Sequence, residues 1–508
     1  MRRTSPSPCE WTCVDLGARS VRWAARPTTP ERRLTPLEAP TLAFLGAETS
    51  FVQEAARLGE GEPEWLCRDL VTLLSEPRGP AAPSPDLGWT APPRPYPSAP
   101  RSALYTPGAG LLKTAAGPRA PEAALAELMT ELLSPSRVLG GAESAPPPPS
   151  IAWLSSPGHA PAARLTLARL FDELGARRVT PVHSHAALAW GLSEQLERRA
   201  LVSLKRAAGA RLWATLDVGE SQASLCLLRV DEPGRRLEVL AQFGRPQVGA
   251  RALEGALLDE RLSGAGLAWE DLDPRAAARL ERDAQERLYA CLARRMPRHL
   301  TYSLAAPPSV TAADERVVGA ALSELMTLAE AWLARALVMI GAPREALDAL
   351  WLTGTCALAL LAPLRRALPM VQVRVAPAHV ALSGAARLVG AVDSAEGAVD
   401  VREVALESVT LAAPSPLDEG VGDARPSVVL VRPGDALPRW CEVPLPVERR
   451  LGEAQNASHD LQLCVGAEGE RPLWLPLPPA PPLSPLGAPP SALRLSYESP
   501  GAFSVTWR

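Results

Sequence analysis

Trp11-Thr12-Cys13-Val14-Asp15-Leu16-Gly17-Ala18-Arg19-Ser20-Val21-Arg22-Trp23-Ala24-Ala25 is the stretch that decides the fold. It runs apolar, breaks at Asp15-Leu16-Gly17 and alternates again through Val21 and Trp23, which predicts a strand, a tight turn and a returning strand. About two hundred residues later the pattern recurs: 212–216 leads into Asp217-Val218-Gly219, and 223–230 returns as an apolar strand. Taken singly, either unit is equally an ordinary hairpin. Two strand–Asp-x-Gly–strand units so far apart predict a duplicated fold of two similar lobes.

The segments around them are α/β in texture. Helical spacing covers 122–133 and 162–174, with a short buried strand at 151–154 between them, and Pro161 sits where a helix start tolerates it. Residues 77–100 are rich in proline and lack periodicity, which predicts a long surface loop. Two long helices follow at 273–296 and 314–340, the second stopped by Gly341-Ala342-Pro343. A strand at 350–352 and a helix at 357–368 complete this part. From Val404 onward only short alternating runs remain, at 404–411, 427–431, 461–465, 493–497 and 503–507, separated by turns such as Pro433-Gly434-Asp435. They predict a small all-β domain. The chain stops at Arg508, so no helical segment is expected beyond it.

At 508 residues two or more domains are expected, and 47% hydrophobic content with mean hydropathy near zero suits a soluble globular chain. A net charge of −3 gives no field that would recruit nucleic acid or an anionic membrane. Of 53 basic residues only Lys113 and Lys205 are lysines. The eight cysteines form no CxxC pair and sit among apolar neighbours, which points to buried thiols in a reducing, cytoplasmic setting. No apolar run follows the two N-terminal arginines, so no signal peptide is expected, and 349–364 is broken by Thr353-Gly354-Thr355 and does not read as a membrane span. No metal site is assigned: Cys9 and Cys13 lack a second ligand pair, and His183-x-His185, with strand spacing, reads as surface histidines without a third ligand. No serine lies in a nucleophile motif.

Polyphosphate binding needs backbone N–H groups facing the anion with no side chain in the way, hence glycine, and an aspartate beside the turn to hold hydrated magnesium. Asp15 with Gly17, and Asp217 with Gly219, supply this twice. The flanking order then resembles the DnaK-like heat-shock protein 70 family. Val14-Asp15-Leu16-Gly17 looks like its first phosphate loop, and Leu216-Asp217-Val218-Gly219 like its second. Between them, Ala186-Ala187-Leu188-Ala189-Trp190-Gly191-Leu192 is similar to the family's Ala-Ala-Leu-Ala-Tyr-Gly-Leu. Val239-Leu240-Ala241, Gly244 and Val248-Gly249 follow, then Leu352-Thr353-Gly354-Thr355 for the adenosine turn and Ser383-Gly384-Ala385-Ala386 for a helix start. In the β region, Val429-Leu430-Val431-Arg432 with Leu437-Pro438 and Glu468-Gly469-Glu470-Arg471 continue the likeness in collinear order.

The resemblance implies a two-lobed, duplicated actin-like ATPase fold at 8–396 (lobe I about 8–205, lobe II about 210–396), a linker and first strand at 397–411, and a β-sandwich substrate-binding-like domain at 412–508 without a helical lid. It implies ATP with magnesium held by Asp15, Gly17, Asp217, Gly219, Gly249, Gly354 and Gly384, and a polypeptide client. These glycines serve the bare fold equally well. The departures fall on the chemistry. Ala18 and Arg19 replace two threonines, and Glu220-Ser221-Gln222 replaces Gly-Gly-Thr, putting acid and bulk where triphosphate would sit. Val182 stands for the coupling glutamate, and Arg68 is the only cation near the position of the catalytic lysine. The segment 282–286 reverses or removes the charges of the adenosine helix, and Ala357 stands for its stacking arginine. Phosphoryl transfer is mostly positioning and electrostatics, so these losses predict a pseudo-ATPase with no catalytic residue, binding a polypeptide client or partner. The alternatives are an active ATP-dependent chaperone in which Arg19 or Arg245 replaces the lysine, these being otherwise exposed arginines, and a scaffold without ligand.

Overall fold

The structure, a computed structural model, describes residues 11–17, 20–25, 36–45, 49–68, 70–74, 105–106, 111–133, 150–159, 161–198, 210–231, 235–246, 248–295, 310–377, 379–393, 399–405, 408–412, 428–437, 439–444, 462–466, 473–476, 492–499 and 502–507. The proline-rich stretch 77–100 and the pair Ala18-Arg19 lie outside them.

The first half carries β1 (Trp11–Leu16), β2 (Ser20–Ala25), β3 (Leu37–Pro40), β4 (Leu42–Leu45), β5 (Thr49–Phe51), α1 (Val52–Gly61), β6 (Leu66–Arg68) and α2 (Leu70–Leu73). It continues through β7 (Tyr105–Thr106), β8 (Leu111–Leu112), α3 (Pro121–Leu133), β9 (Ser150–Ser155), α4 (Pro161–Glu173), β10 (Arg178–His183) and α5 (Ser184–Arg198). The second half has β11 (Arg211–Val218), β12 (Gln222–Asp231), β13 (Arg236–Pro246), α6 (Ala250–Ala265), α7 (Pro274–Arg295), α8 (Ala312–Met339), β14 (Ala349–Thr353), α9 (Ala357–Ala367), β15 (Gln372–Val375) and α10 (Val380–Asp393). Strands alone are described after that: β16 (Asp400–Val404), β17 (Ser408–Ala412), β18 (Val428–Val431), β19 (Ala436–Leu437), β20 (Arg439–Pro444), β21 (Gln462–Gly466), β22 (Leu473–Pro476), β23 (Ala492–Ser499) and β24 (Ala502–Trp507).

One sheet is ordered β10-β9-β1-β2-β3, and another β15-β14-β11-β12-β13-β16-β19. The first five strands of the second repeat the first in order and in sense: three parallel strands, then two antiparallel ones. The register repeats too. Trp11 pairs with Ser150 and Ser150 with Arg178; Trp213 pairs with Ala349 and Ala349 with Gln372. Central parallel strands are covered on both faces, which is why β9 is apolar from Ile151 to Leu154 and buried at every position.

Each sheet packs its own helices. Val14, Trp153, Leu125, Leu128 and Phe171 share one core; Leu216, Leu253, Leu288, Leu352 and Leu360 share another. A third core joins the halves. In it Trp11 and Trp213, which hold equivalent register positions, lie with Trp190 of α5 and Val380 of α10. Burying each of these indoles is worth roughly 2–3 kcal/mol. α5 and α10 cross closely: a Cβ on Gly384 would lie 1.8 Å from the Ala187 carbonyl oxygen, and one on Gly191 2.3 Å from that of Val380.

α8 starts with a capping box, Asp314 N donating to Thr311 Oγ1 (3.1 Å) and Thr311 N to Asp314 Oδ2 (2.9 Å). It is long and apolar enough to cross a bilayer, with a third of its most apolar window buried, and its Leu322, Leu325 and Leu333 are inner members of the second core.

In the β region the sheets β18-β17-β21-β22 and β20-β23-β24 share one core, where Val409, Leu411 and Val465 meet Leu495 and Tyr497. The segment 397–411 differs from the sequence expectation. The run 404–411 divides between two sheets: β16 pairs with β13 in the seven-stranded sheet and with β19, whereas β17 opens a new sheet. The division falls at buried Ala405, whose N–H donates to Asp435 O (2.7 Å) and whose carbonyl accepts from Gly434 N (2.8 Å), bending the chain away.

Candidate functional site

The two Asp-x-Gly turns are built alike. Gly17 N donates to Ser20 O at 3.0 Å, and Gly219 N to Gln222 O at 2.9 Å. Across the hairpins Asp15 lies opposite Arg22, and Asp217 opposite Ser224. Arg22 spans Asp15 and Glu38, at 3.1 Å each. Burial holds the Asp15 carboxyl above its ordinary range although Arg22 pulls it down. Burial, and then the charge of Asp15, push Asp217 up to about 7, with Arg22 opposing. Asp217 therefore feels the charge of Asp15.

The second turn also carries Glu220, 5% exposed. Tyr289 Oη of α7 donates to both its carboxylate oxygens, at 3.0 and 2.9 Å, and Thr355 Oγ1 donates to Oε2 at 3.3 Å. The adenosine-type turn packs directly on the same loop. Gly354 has φ +91, and a Cβ there would lie 2.4 Å from Val218 O and 2.6 Å from Asp217 Oδ1. Cys356 N donates to Val218 O (3.0 Å). Burial, then Glu220 and Asp217, hold the Cys356 thiol far above its ordinary range.

The N-terminus of α6 is where a phosphate would find amides. Here Ala250 N donates to Gly219 O (3.0 Å) and Arg251 N to Glu220 O (2.8 Å), so the loop's own carbonyls take those donors. Gly249 allows this approach: a Cβ would meet Gly219 O at 2.6 Å and Glu220 O at 2.7 Å. The residues present do not fit a magnesium polyphosphate. Glu220 adds a buried acid to the second turn, Arg22 is already paired with Asp15 and Glu38, and the first amides of α6 are already bonded.

Asp15, Asp217 and Gly354 thus come together, and Gly219 and Gly249 join them through the Glu220 loop. Gly17 holds the matching turn, its carbonyl accepting from Thr41 Oγ1 (2.9 Å). Gly384 sits in the α5–α10 crossing, where close helix packing requires a glycine. Arg68 does not reach toward phosphate; its Nη1 donates to Gln285 Oε1 of α7 at 2.7 Å, and Arg275 Nη2 donates to Gly61 O at 3.1 Å, so the halves also touch through α1, β6 and α7. Arg19 lies outside the described residues, and the cation at Asp15 is Arg22.

The histidines are also corrected. His183 ends β10 and His185 lies in α5, and both are buried. His185 bonds Thr215 Oγ1 through Nδ1 (2.6 Å) and Ser224 Oγ through Nε2 (2.7 Å). Among the described residues no group of three or more His, Cys, Asp or Glu could hold a metal ion. Tyr289 was missed because an aromatic at helical spacing reads as core. Arg22 was findable, since a four-residue turn puts position 22 opposite 15. No family model matches the chain, and no curated protein matches it.

Proposed function

We propose that the chain is a degenerate relative of the DnaK-like heat-shock 70 proteins, with an actin-like two-lobed part whose ATP cleft is silent. It acts by holding a polypeptide client or partner through its β region or a lobe surface. The observation that carries the first part is the seating of Glu220: its buried carboxylate is clasped by Tyr289 and Thr355, while α6 donates its first amides to the same loop. A buried acid repels polyphosphate, and bonded amides have no donor left to offer it. The repeated sheet order supports the two-lobed reading, and two sheets on one core support a sandwich in the β region. Buried cysteine thiols, Cys226, Cys291 and Cys356 among them, support a cytoplasmic location.

The second reading, an ATP-driven chaperone, is favoured by the retained carboxylates Asp15 and Asp217, the second of which feels the charge of the first. Isothermal titration of the full chain with Mg-ATP separates the two. The silent cleft gives no heat up to about millimolar ATP, whereas an enzyme gives micromolar binding that Asp217→Asn abolishes. Titration with leucine-rich peptides tests the client; a chain that binds neither ATP nor peptide is a scaffold.

A further inference from the structure

The strand that leads out of the second lobe is held by side chains as well as by sheet bonds. β16 runs parallel to β13, with Leu237 beside Val401 and Glu238 beside Arg402, and Glu403 faces Leu437 of β19. Gln242 of β13 donates from Nε2 to Val404 O. Its Oε1 accepts from His183 Nε2 at 2.8 Å. An amide oxygen only accepts, so His183 carries its proton on Nε2, and Nδ1 takes the Ala186 N–H at 3.3 Å. One clasp therefore joins the end of β10 in the first lobe, β13 in the second and the strand entering the β region.

Beneath it lies Glu403. Its Oε2 is buried and has no hydrogen-bond partner among the described residues. The titratable groups whose charge it shares are His183 from β10 and Cys226 from β12. The charges of the strand itself and its neighbour pair at the exposed edge, Arg402 with Asp400 (3.1 Å), and Arg236 with Asp400 and Glu238. β19 contributes Ala436 and Leu437, which carry no charge.

We propose that Glu403, under the His183–Gln242 clasp, makes the docking of β16 on the second sheet, and with it the attachment of the β region, respond to protonation. Docked and protonated, the carboxyl is neutral in its burial; ionised, it is a buried charge that hydration of the released strand relieves. Burial raises the Glu403 carboxyl above its ordinary 4.5, with His183 opposing. Stability carried by a raised carboxyl is complete at low pH and is lost as pH climbs through the folded value, so docking weakens above pH 4.5 as the solution is made more basic. Cys226, held well above its ordinary range by burial and then by Glu403, stays neutral throughout. So does His185, held well below its range by burial and then by His183.

The test is hydrogen exchange of the full chain, read as protection factors for the amides of 401–404 at roughly pH 5.5 and pH 8, with those of β11 as internal standard. Protection of 401–404 falls at the higher pH while β11 is unchanged. Glu403→Gln keeps the low-pH protection at both, and His183→Gln, which retains a donor for Gln242, keeps the pH response. Flat protection in the unaltered chain overturns the proposal whether or not the variants fold. A response that survives Glu403→Gln and vanishes in His183→Gln overturns it too, by assigning the titration to the imidazole.

Discussion

The Asp15 and Asp217 turns share a backbone and differ in what they hold. Each closes with a glycine N–H donating to the carbonyl three residues on, and each leaves its aspartate at the same register step. Opposite Asp15 stands Arg22, which neutralises it; opposite Asp217 stands Ser224, which turns to His185. The second turn adds Glu220, clasped by Tyr289 and Thr355. The difference teaches that the hairpin holds its shape through its own turn bond and the core around Trp11 and Trp213, whatever side chains its turn presents.

Substitutions can break that comparison. The largest effect is expected from Gly384→Ala, whose Cβ would press on the Ala187 carbonyl at 1.8 Å. Backbone against backbone has little room to yield, so thermal melting should show a loss of about 2–4 kcal/mol. A loss seen only in ligand affinity would return Gly384 to the cleft.

Next comes the acid pair. With Asp217 raised to about 7, its protonated form stabilises the fold below that pH, and this is lost as pH rises through it. Between pH 6 and 8 the loss is roughly 1.4 kcal/mol. Denaturant melts of Asp217→Asn should show a flatter pH dependence, with the slope that remains belonging to Asp15, which burial also raises. A slope unchanged by the substitution would show that Asp217 is not held protonated by its burial.

Tyr289→Phe removes the hydroxyl that donates to both oxygens of Glu220 and should cost about 1–2 kcal/mol in the same melts. Smallest of all is Gly219→Ala, where the nearest atom to a new Cβ is Gln222 O at 3.6 Å; the change should stay below about 1 kcal/mol. If Gly219→Ala proved as damaging as Gly384→Ala, the contrast between turn and crossing would dissolve.

Much of the fold is legible in the residues. Apolar runs broken by Asp-x-Gly mark the hairpins, and three- and four-residue steps mark α7 and α8, because these patterns follow from local geometry. The division of 404–411 between two sheets was not legible, since an alternating run looks the same whichever neighbour it pairs with; the bonds of Ala405 to Gly434 and Asp435 decide it. His183 and His185 read as surface because Thr180, Pro181 and Ser184 around them are polar or turn-forming. Their burial comes from Gln242, Thr215 and Ser224, partners 30 to 59 residues away. The acid at Glu220 was visible as a departure from a glycine-rich loop, but its anchor Tyr289, 69 residues on, was not.

The central claim is that Glu220 sits where polyphosphate would need to be. A crystal structure of the full chain grown with millimolar Mg-ADP reads this directly. The account predicts the Glu220 carboxylate still on Tyr289 Oη and no nucleotide between Asp15 and Asp217. An ordered nucleotide there, with Glu220 displaced, would contradict it.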